Sequence, residues 1–215
     1  TAPAMSAAES VKRAGILWLN EDDSRTFLDP RKQEHVQEGG LVDLKQTQQV
    51  MLRNTAQASL RGFGTWWMDL PGQGWFNDAA IWEQIVRLRP VDEAMARRAT
   101  PFAPEVGAVI DEDSMCHLTG GSALAVRPLI YEARAALGRS GAPYGQYLLR
   151  DIVEGRAAPR LQLFLAAWRL TAEQRRALGV QREGGAWKTL AGWCGLGHAS
   201  DVMRVWCWAP GYLYP

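Results

Sequence analysis

The sequence predicts an α/β protein built on parallel strands, and three observations carry that reading. Short apolar runs recur at residues 15–19, 106–110 and 161–166, the first without a polar gap, as expected of a strand buried on both faces. Helical stretches fall between such runs, in the order strand, loop, helix, strand, loop, helix. A proline-marked linker, Thr100-Pro101 and Ala103-Pro104, divides the chain into two α/β runs.

The chain of 215 residues is long enough to bury a sizeable core. Its 24 Lys and Arg against 23 Asp and Glu leave a net charge of +1, which gives no footprint for nucleic acid or an anionic membrane surface. The longest apolar stretches fall well short of the roughly 18 residues of a membrane span. Three cysteines, Cys116, Cys194 and Cys207, are too few and too odd in number for a disulfide scaffold. Thr1-Ala2-Pro3-Ala4-Met5 has neither the basic nor the apolar region of a signal peptide. Ten tryptophans stand out. They suit flat apolar surfaces that meet partly polar ligands such as sugar rings, and equally a Trp-rich core.

Taken in order, residues 1–14 read as an irregular lead-in and 15–19 as the first strand. The polar cluster Asn20-Glu21-Asp22-Asp23-Ser24-Arg25-Thr26 ends that strand and opens a charged, Gly-containing loop. Asp43 or its neighbours cap a helix running to about Leu60, with Gly62 as its stop. Residues 63–70 form a second buried strand that ends in Asp69, followed by the turn Pro71-Gly72-Gln73-Gly74 and a helix over 78–98. Beyond the linker come a strand at 106–110 ending at Asp111-Glu112-Asp113, a helix over about 123–137, a strand at 144–149 and a helical turn at 151–153. A third strand at 161–166 precedes a helix capped by Thr171. Residues 184–199 read as irregular and 203–208 as a fourth strand. Neither an internal repeat nor a low-complexity segment is visible.

Chemistry is expected where α/β folds keep their sites, at the carboxyl ends of parallel strands. Glu21, Asp22 and Asp23 hold that position on the first strand, and Asp69 holds it on the second beside Trp66 and Trp67. Carboxylates next to tryptophans at one rim suit a glycosidase, in which one carboxylate is nucleophile or base, another is the acid, and indole faces stack the sugar. The plainer alternative is a solvated loop at 21–23 and an Asp69 that merely caps the turn at Pro71-Gly72.

The segments Leu17-Trp18-Leu19-Asn20-Glu21-Asp22-Asp23-Ser24-Arg25-Thr26 and Gly62-Phe63-Gly64-Thr65-Trp66-Trp67-Met68-Asp69-Leu70 resemble the last two strands of a catalytic (β/α)8 barrel. That barrel belongs to bacterial β-galactosidase-like glycoside hydrolases near family 42. Residues 104–110, Gly141-Ala142-Pro143-Tyr144, 161–171 and Ala209-Pro210-Gly211-Tyr212 resemble the flavodoxin-like domain, akin in fold to class I amidotransferases, that follows the barrel there. Residues 181–202 depart from the pattern. The resemblance implies a barrel end over residues 1–99 and a flavodoxin-like domain, incomplete, over 100–215. It implies retaining hydrolysis of terminal β-galactosides or related β-glycosides, with Glu21 as nucleophile at the end of the seventh strand. Asp22 and Asp23 compete for that role. Arg25 is expected to keep the nucleophile ionised, and Trp66, Trp67 and Asp69 to line the sugar subsite. The acid/base belongs to the fourth strand, and no residue here corresponds to it. On this reading the chain is a piece of a longer one and inactive by itself. A carbohydrate substrate and a homo-oligomer, a trimer by resemblance, are the implied partners, with no cofactor.

Two other readings stand beside it: a non-catalytic carbohydrate-binding or oligomerisation module, and a stand-alone flavodoxin-like regulatory domain with an irregular N-terminal arm, which residues 15–70 packed as strands of the second domain's own sheet would support. Other motifs carry less. Gly192-Trp193-Cys194-Gly195 lacks the strand and helix of a nucleophile elbow, and Gly195-Leu196-Gly197 is no dinucleotide fingerprint. An amidotransferase cysteine would fall where Ala167-Trp168 stands. His35, His117 and His198 have no metal-ligand spacing with the cysteines, and Arg175-Arg176 reads as a solvated helix face.

Overall fold

A computed structural model describes residues 6–31, 41–69, 72–98, 100–117, 127–165, 167, 169–183, 186–189 and 203–206. Its elements run α1 (Ala8–Arg13), β1 (Leu19–Asp22), α2 (Leu44–Arg61), β2 (Gly64–Trp67), α3 (Ala79–Ala96), β3 (Val106–Ile110) and α4 (Glu112–Met115). A π-helical turn, Arg127–Glu132, leads into α5 (Ala133–Arg139). Then follow β4 (Tyr144–Leu148), α6 (Leu149–Val153), β5 (Leu161–Phe164), α7 (Ala172–Leu178), β6 (Val180–Glu183), β7 (Ala186–Thr189) and β8 (Met203–Trp206). The fold is mixed α/β with short sheets. The chain divides into two compact units, Ile16–Phe102 and Thr1–Gly15 with Ala103–Pro215.

In the unit Ile16–Phe102, local chemistry sets the long helices. Asp43 accepts from the amide of Gln46 and opens α2. Gly62, at φ 71°, ends it in the left-handed conformation that costs a glycine least. Asp78 accepts from the amides of Ala80 and Ile81 and opens α3. The two helices pack through Met51, Ile81 and Leu88, with Phe27, Leu28, Trp67, Phe76 and Ile85 around them. Each such aliphatic side chain taken from water stabilises by about 1.5–3 kcal/mol. Strands β1 and β2 pair in parallel, with Leu19, Asn20, Glu21 and Asp22 beside Gly64, Thr65, Trp66 and Trp67. They form a sheet of their own, so the packing of residues 15–70 as strands of the second domain's sheet, which would support a stand-alone flavodoxin-like domain, is not seen among the described residues.

The first strand differs from its expected position. Ile16 and Leu17 are exposed and precede β1, so the apolar run at 15–19 is not a strand buried on both faces. Pairing with β2 instead begins at Leu19 and draws Asn20, Glu21 and Asp22 into the strand. The polar residues are tolerated because one face of this sheet is open and Asp22, on the other, has hydrogen-bond donors.

The second unit holds a four-stranded sheet of order β4-β3-β5-β8, parallel throughout. Its strands lie where the apolar runs place them. Val109, Tyr147, Phe164 and Leu178 pack in one core cluster, while Ala108, Tyr144 and Leu165 pack in another. Adjacent residues of one strand, Ala108 and Val109, are thus both fully buried, which covers the sheet on both faces. Thr171 caps α7 in a capping box with Gln174. Two expectations are corrected. The irregular lead-in contains helix α1, and the irregular stretch 184–199 contributes β7, antiparallel to β6. Of the helix expected over 123–137, residues 127–137 are described and are helical. The Gly192-Trp193-Cys194-Gly195 and Gly195-Leu196-Gly197 motifs, Trp168, His35, His198, Cys194, Cys207, the Pro71 turn position and Ala209-Pro210-Gly211-Tyr212 lie outside the described residues.

Candidate functional site

The carboxyl ends of β1 and β2 bring the predicted residues together. In a parallel pair, residues side by side point to the same face, and successive residues alternate. Glu21 is beside Trp66, and Asp22 beside Trp67. Asp22 and Trp67 belong to the helix-covered face: Asp22 is buried and bonded to α2, and Trp67 packs on Met51, Ile81 and Leu88. Glu21 and Trp66 therefore lie on the face the helices leave open, and both are exposed.

The three neighbouring carboxylates separate into distinct roles. Asp22 accepts from Asn54 Nδ2 at 2.8 Å and from the Ser24 amide at 3.1 Å. The same Asn54 nitrogen reaches Ser24 Oγ at 3.1 Å, and Arg53 donates to Asn54 Oδ1, so the amide is oriented on both sides. The Asp22 carbonyl accepts from the Met68 amide. Asp22 thus ties the end of β1 to α2 and to the end of β2. Asp23 is exposed. Among the described residues, Glu21 makes no side-chain hydrogen bond or ion pair, which leaves its carboxylate open to a ligand.

Arg25 does not serve Glu21. Its ion pair is with Asp29, at 3.6 Å, and its guanidinium lies 6.0 Å from the centre of the Trp75 ring. The expected bond to the nucleophile is replaced by this partner because Asp29 stands four residues further along the loop, fully buried. Thr26, also buried, donates through Oγ1 to the Trp75 carbonyl and joins the loops that follow β1 and β2.

Asp69 organises the second loop. Its carboxylate accepts from the amides of Gln73 (3.1 Å), Gly74 (2.6 Å) and Trp75 (3.0 Å). Burial works to raise this carboxyl, and the amides of Trp75, Gln73, Gly74 and Gly72 outweigh it, holding it below the ordinary aspartate range. A carboxylate so engaged is a fixed acceptor, not a proton donor. It caps the turn, which is the plainer of the two roles its position allowed.

Asn54, Ser24, Asp29 and Trp75 escaped the sequence reading. Asn54 had a signal: it lies in the stripe Thr47, Met51, Asn54, Thr55, Ala58, where a polar residue on the core side of an amphipathic helix calls for a buried partner. Among the described residues, no group of three or more His, Cys, Asp or Glu is placed to hold a metal ion. His117 is in contact with Arg169, and Cys116 is free and exposed. No helix among the described residues is long and apolar enough to cross a membrane. Comparison of the chain with protein-family models, with curated proteins and with solved structures gives no match.

Proposed function

We propose that this chain belongs to a retaining β-glycosidase of the β-galactosidase-like type near family 42, with Glu21 as the nucleophile. The observation that carries the reading is the register of Glu21 beside Trp66 on the open face of a parallel pair, at the strands' carboxyl ends. A sugar laid with its apolar face on Trp66 presents its anomeric carbon to a carboxylate that no group among the described residues occupies. Glu21 attacks that carbon and the glycosidic bond breaks, its oxygen leaving as an alcohol with a proton from the acid/base that this reading places on another strand; water, deprotonated by that same group, then hydrolyses the glycosyl-enzyme to free sugar and the Glu21 carboxylate. Asp22 and Asp23 are the weaker candidates, the first because its oxygens are bonded to Asn54 and Ser24, the second because nothing among the described residues positions it.

The barrel reading draws support from the strand–helix–strand–helix order of β1, α2, β2 and α3, with helices on one face only. Two strands do not close a barrel, and the reading assigns the other six, with the acid/base, to polypeptide outside these 215 residues. The strand order of the second unit, second-first-third-fourth with all strands parallel, supports a flavodoxin-like domain. Trp66 and Glu21 line the proposed sugar subsite. Asp69 and Trp67 hold it from behind, and Arg25 acts on the loop instead of the sugar.

The test is Glu21→Gln in a protein carrying the whole barrel, assayed on an aryl β-galactoside. Loss of turnover by roughly 10⁴-fold is expected, the order found when a group central to covalent catalysis is removed. A rate within about tenfold of the parent refutes the assignment.

A further inference from the structure

We propose that Arg169 and His117 form a binding site for a phosphate group, free or in a small phosphate ester, at the carboxyl ends of β3 and β5. The inference is independent of the glycosidase reading, since every residue it uses lies in the other unit. In the sheet order β4-β3-β5-β8, the chain leaves β3 for β4 on one side and leaves β5 toward β8 on the other. The loops after β3 and β5 therefore part in opposite directions. In open parallel sheets, the crevice at such a reversal, outside the carboxyl ends of the strands, is where ligands bind. Arg169 comes from the loop after β5, and His117 from the segment after β3.

One buried residue brings the two together. Ser114, fully buried, accepts the Arg169 amide on its Oγ at 3.0 Å and the His117 amide on its carbonyl at 3.3 Å. Its hydroxyl donates to Asp111 Oδ2, just past the end of β3, which fixes Ser114 in turn. Ala167 and Leu170, which flank Arg169 in the loop, are buried in the core with Val109 and Phe164. The backbone under Arg169 is thus held on both sides, while Arg169 and His117 themselves are exposed.

The pair has the charge and the donors that an oxyanion requires. Arg169 Nη1 is in contact with the His117 ring, and among the described residues neither side chain has a carboxylate partner. A guanidinium is always charged, and an imidazole set against it supplies no opposing charge. In either protonation state the imidazole keeps an N–H, and the guanidinium has N–H groups to spare. A phosphate monoester answers both with three acceptor oxygens and a charge of about −1.5 to −2 at pH 7. A carboxylate brings fewer oxygens and less charge, so the site favours phosphate.

The experiment titrates the full chain with inorganic phosphate at constant ionic strength and follows the backbone amides of residues 117 and 169 by NMR. Saturable shifts with a Kd of about 1–10 mM are expected, as suits an exposed site with two charge-assisted donors. Acetate should bind about tenfold more weakly, or not at all. Arg169→Ala leaves the residue 169 amide on Ser114 and should weaken phosphate binding by about tenfold or more. His117→Ala should weaken it in the same direction, and it carries the test alone should Arg169→Ala disturb the amides of Val109 and Phe164. Phenyl phosphate binding tighter than inorganic phosphate assigns the site to esters, and binding no tighter assigns it to the free ion. Shifts that never saturate, acetate that binds as tightly as phosphate, or folded variants that bind like the parent would each overturn the proposal.

Discussion

Glu21 and Trp66 stand side by side across the parallel pairing of β1 and β2, the carboxylate exposed and the indole 40 % exposed. One residue further along, Asp22 and Trp67 repeat the same pair of residue classes on the opposite face, where helices cover them. The sheet thus displays one acid–indole pair and packs the other. Substitutions in the two pairs should separate recognition from stability.

Trp66→Ala should leave the denaturation midpoint nearly unchanged and weaken binding of an aryl galactoside by roughly 5–10-fold in the complete enzyme, as loss of one stacking face predicts. Trp67→Ala should cost about 3 kcal/mol of stability because it empties part of the Met51–Ile81–Leu88 core. Urea titration of both variants checks this. Equal destabilisation by the two would mean the faces are not as described.

Asn54→Ala deprives the buried Asp22 carboxylate of its side-chain donor, and a cost of about 2 kcal/mol is expected. Asn54→Asp sets a second carboxylate against the first and should cost more at pH 7 than at pH 4, where protonation of the introduced carboxyl relieves the repulsion. Chemical denaturation at both pH values decides it; a variant as stable as the parent would remove Asp22 from its anchoring role.

The Asp69 carboxyl is held below its ordinary range in the fold, so its contribution is present above the unfolded value of about 3.9 and is lost as pH falls through the folded value. Asp69→Asn should therefore lower the melting temperature at pH 7, with the gap to the parent closing toward pH 3. A gap that does not change with pH would show that the charge is not what the three amides hold.

Asp111 behaves in the opposite sense. Burial pushes its carboxyl up, against the opposing bond from Ser114 Oγ. The folded protein then holds this proton more tightly than the unfolded chain does, so stability from this site falls as pH rises from the unfolded value through the folded one. Asp111→Asn keeps an acceptor for Ser114 and should raise the melting temperature at pH 7 while changing it little near pH 3. Calorimetry that finds the substitution destabilising at pH 7 would sink the idea.

What the sequence made legible depended on whether the controlling interaction was local. Helix α2 is bounded by Asp43 and Gly62, and α7 by Thr171 and Gln174, all within a turn of what they cap. Strands β3, β4 and β5 lie in mainly apolar runs that announce themselves, with Gln146 and Gln162 as their polar interruptions. Strand β1 was misplaced because its position is set by β2, more than forty residues away, and not by the apolar run before it. Helix α1 was illegible for the same reason: Glu9 and Ser10 look solvated, yet strand amides 137 and 138 residues downstream bury them. At the site, the rim could be located from strand ends, but which carboxylate was free could not. Asn54 takes Asp22, Asp29 takes Arg25 and the loop amides take Asp69; those pairings exist only in three dimensions.

The bond between Glu9 and Gln146 also has a direction in time. A ribosome makes α1 long before it makes the uncharged strand that α1 covers, so the cover is already in solution when the edge emerges. Reversing the order, as a circular permutation with α1 at the C-terminus would, leaves that edge uncovered through synthesis. A chain permuted in this way should aggregate more during synthesis than the parent.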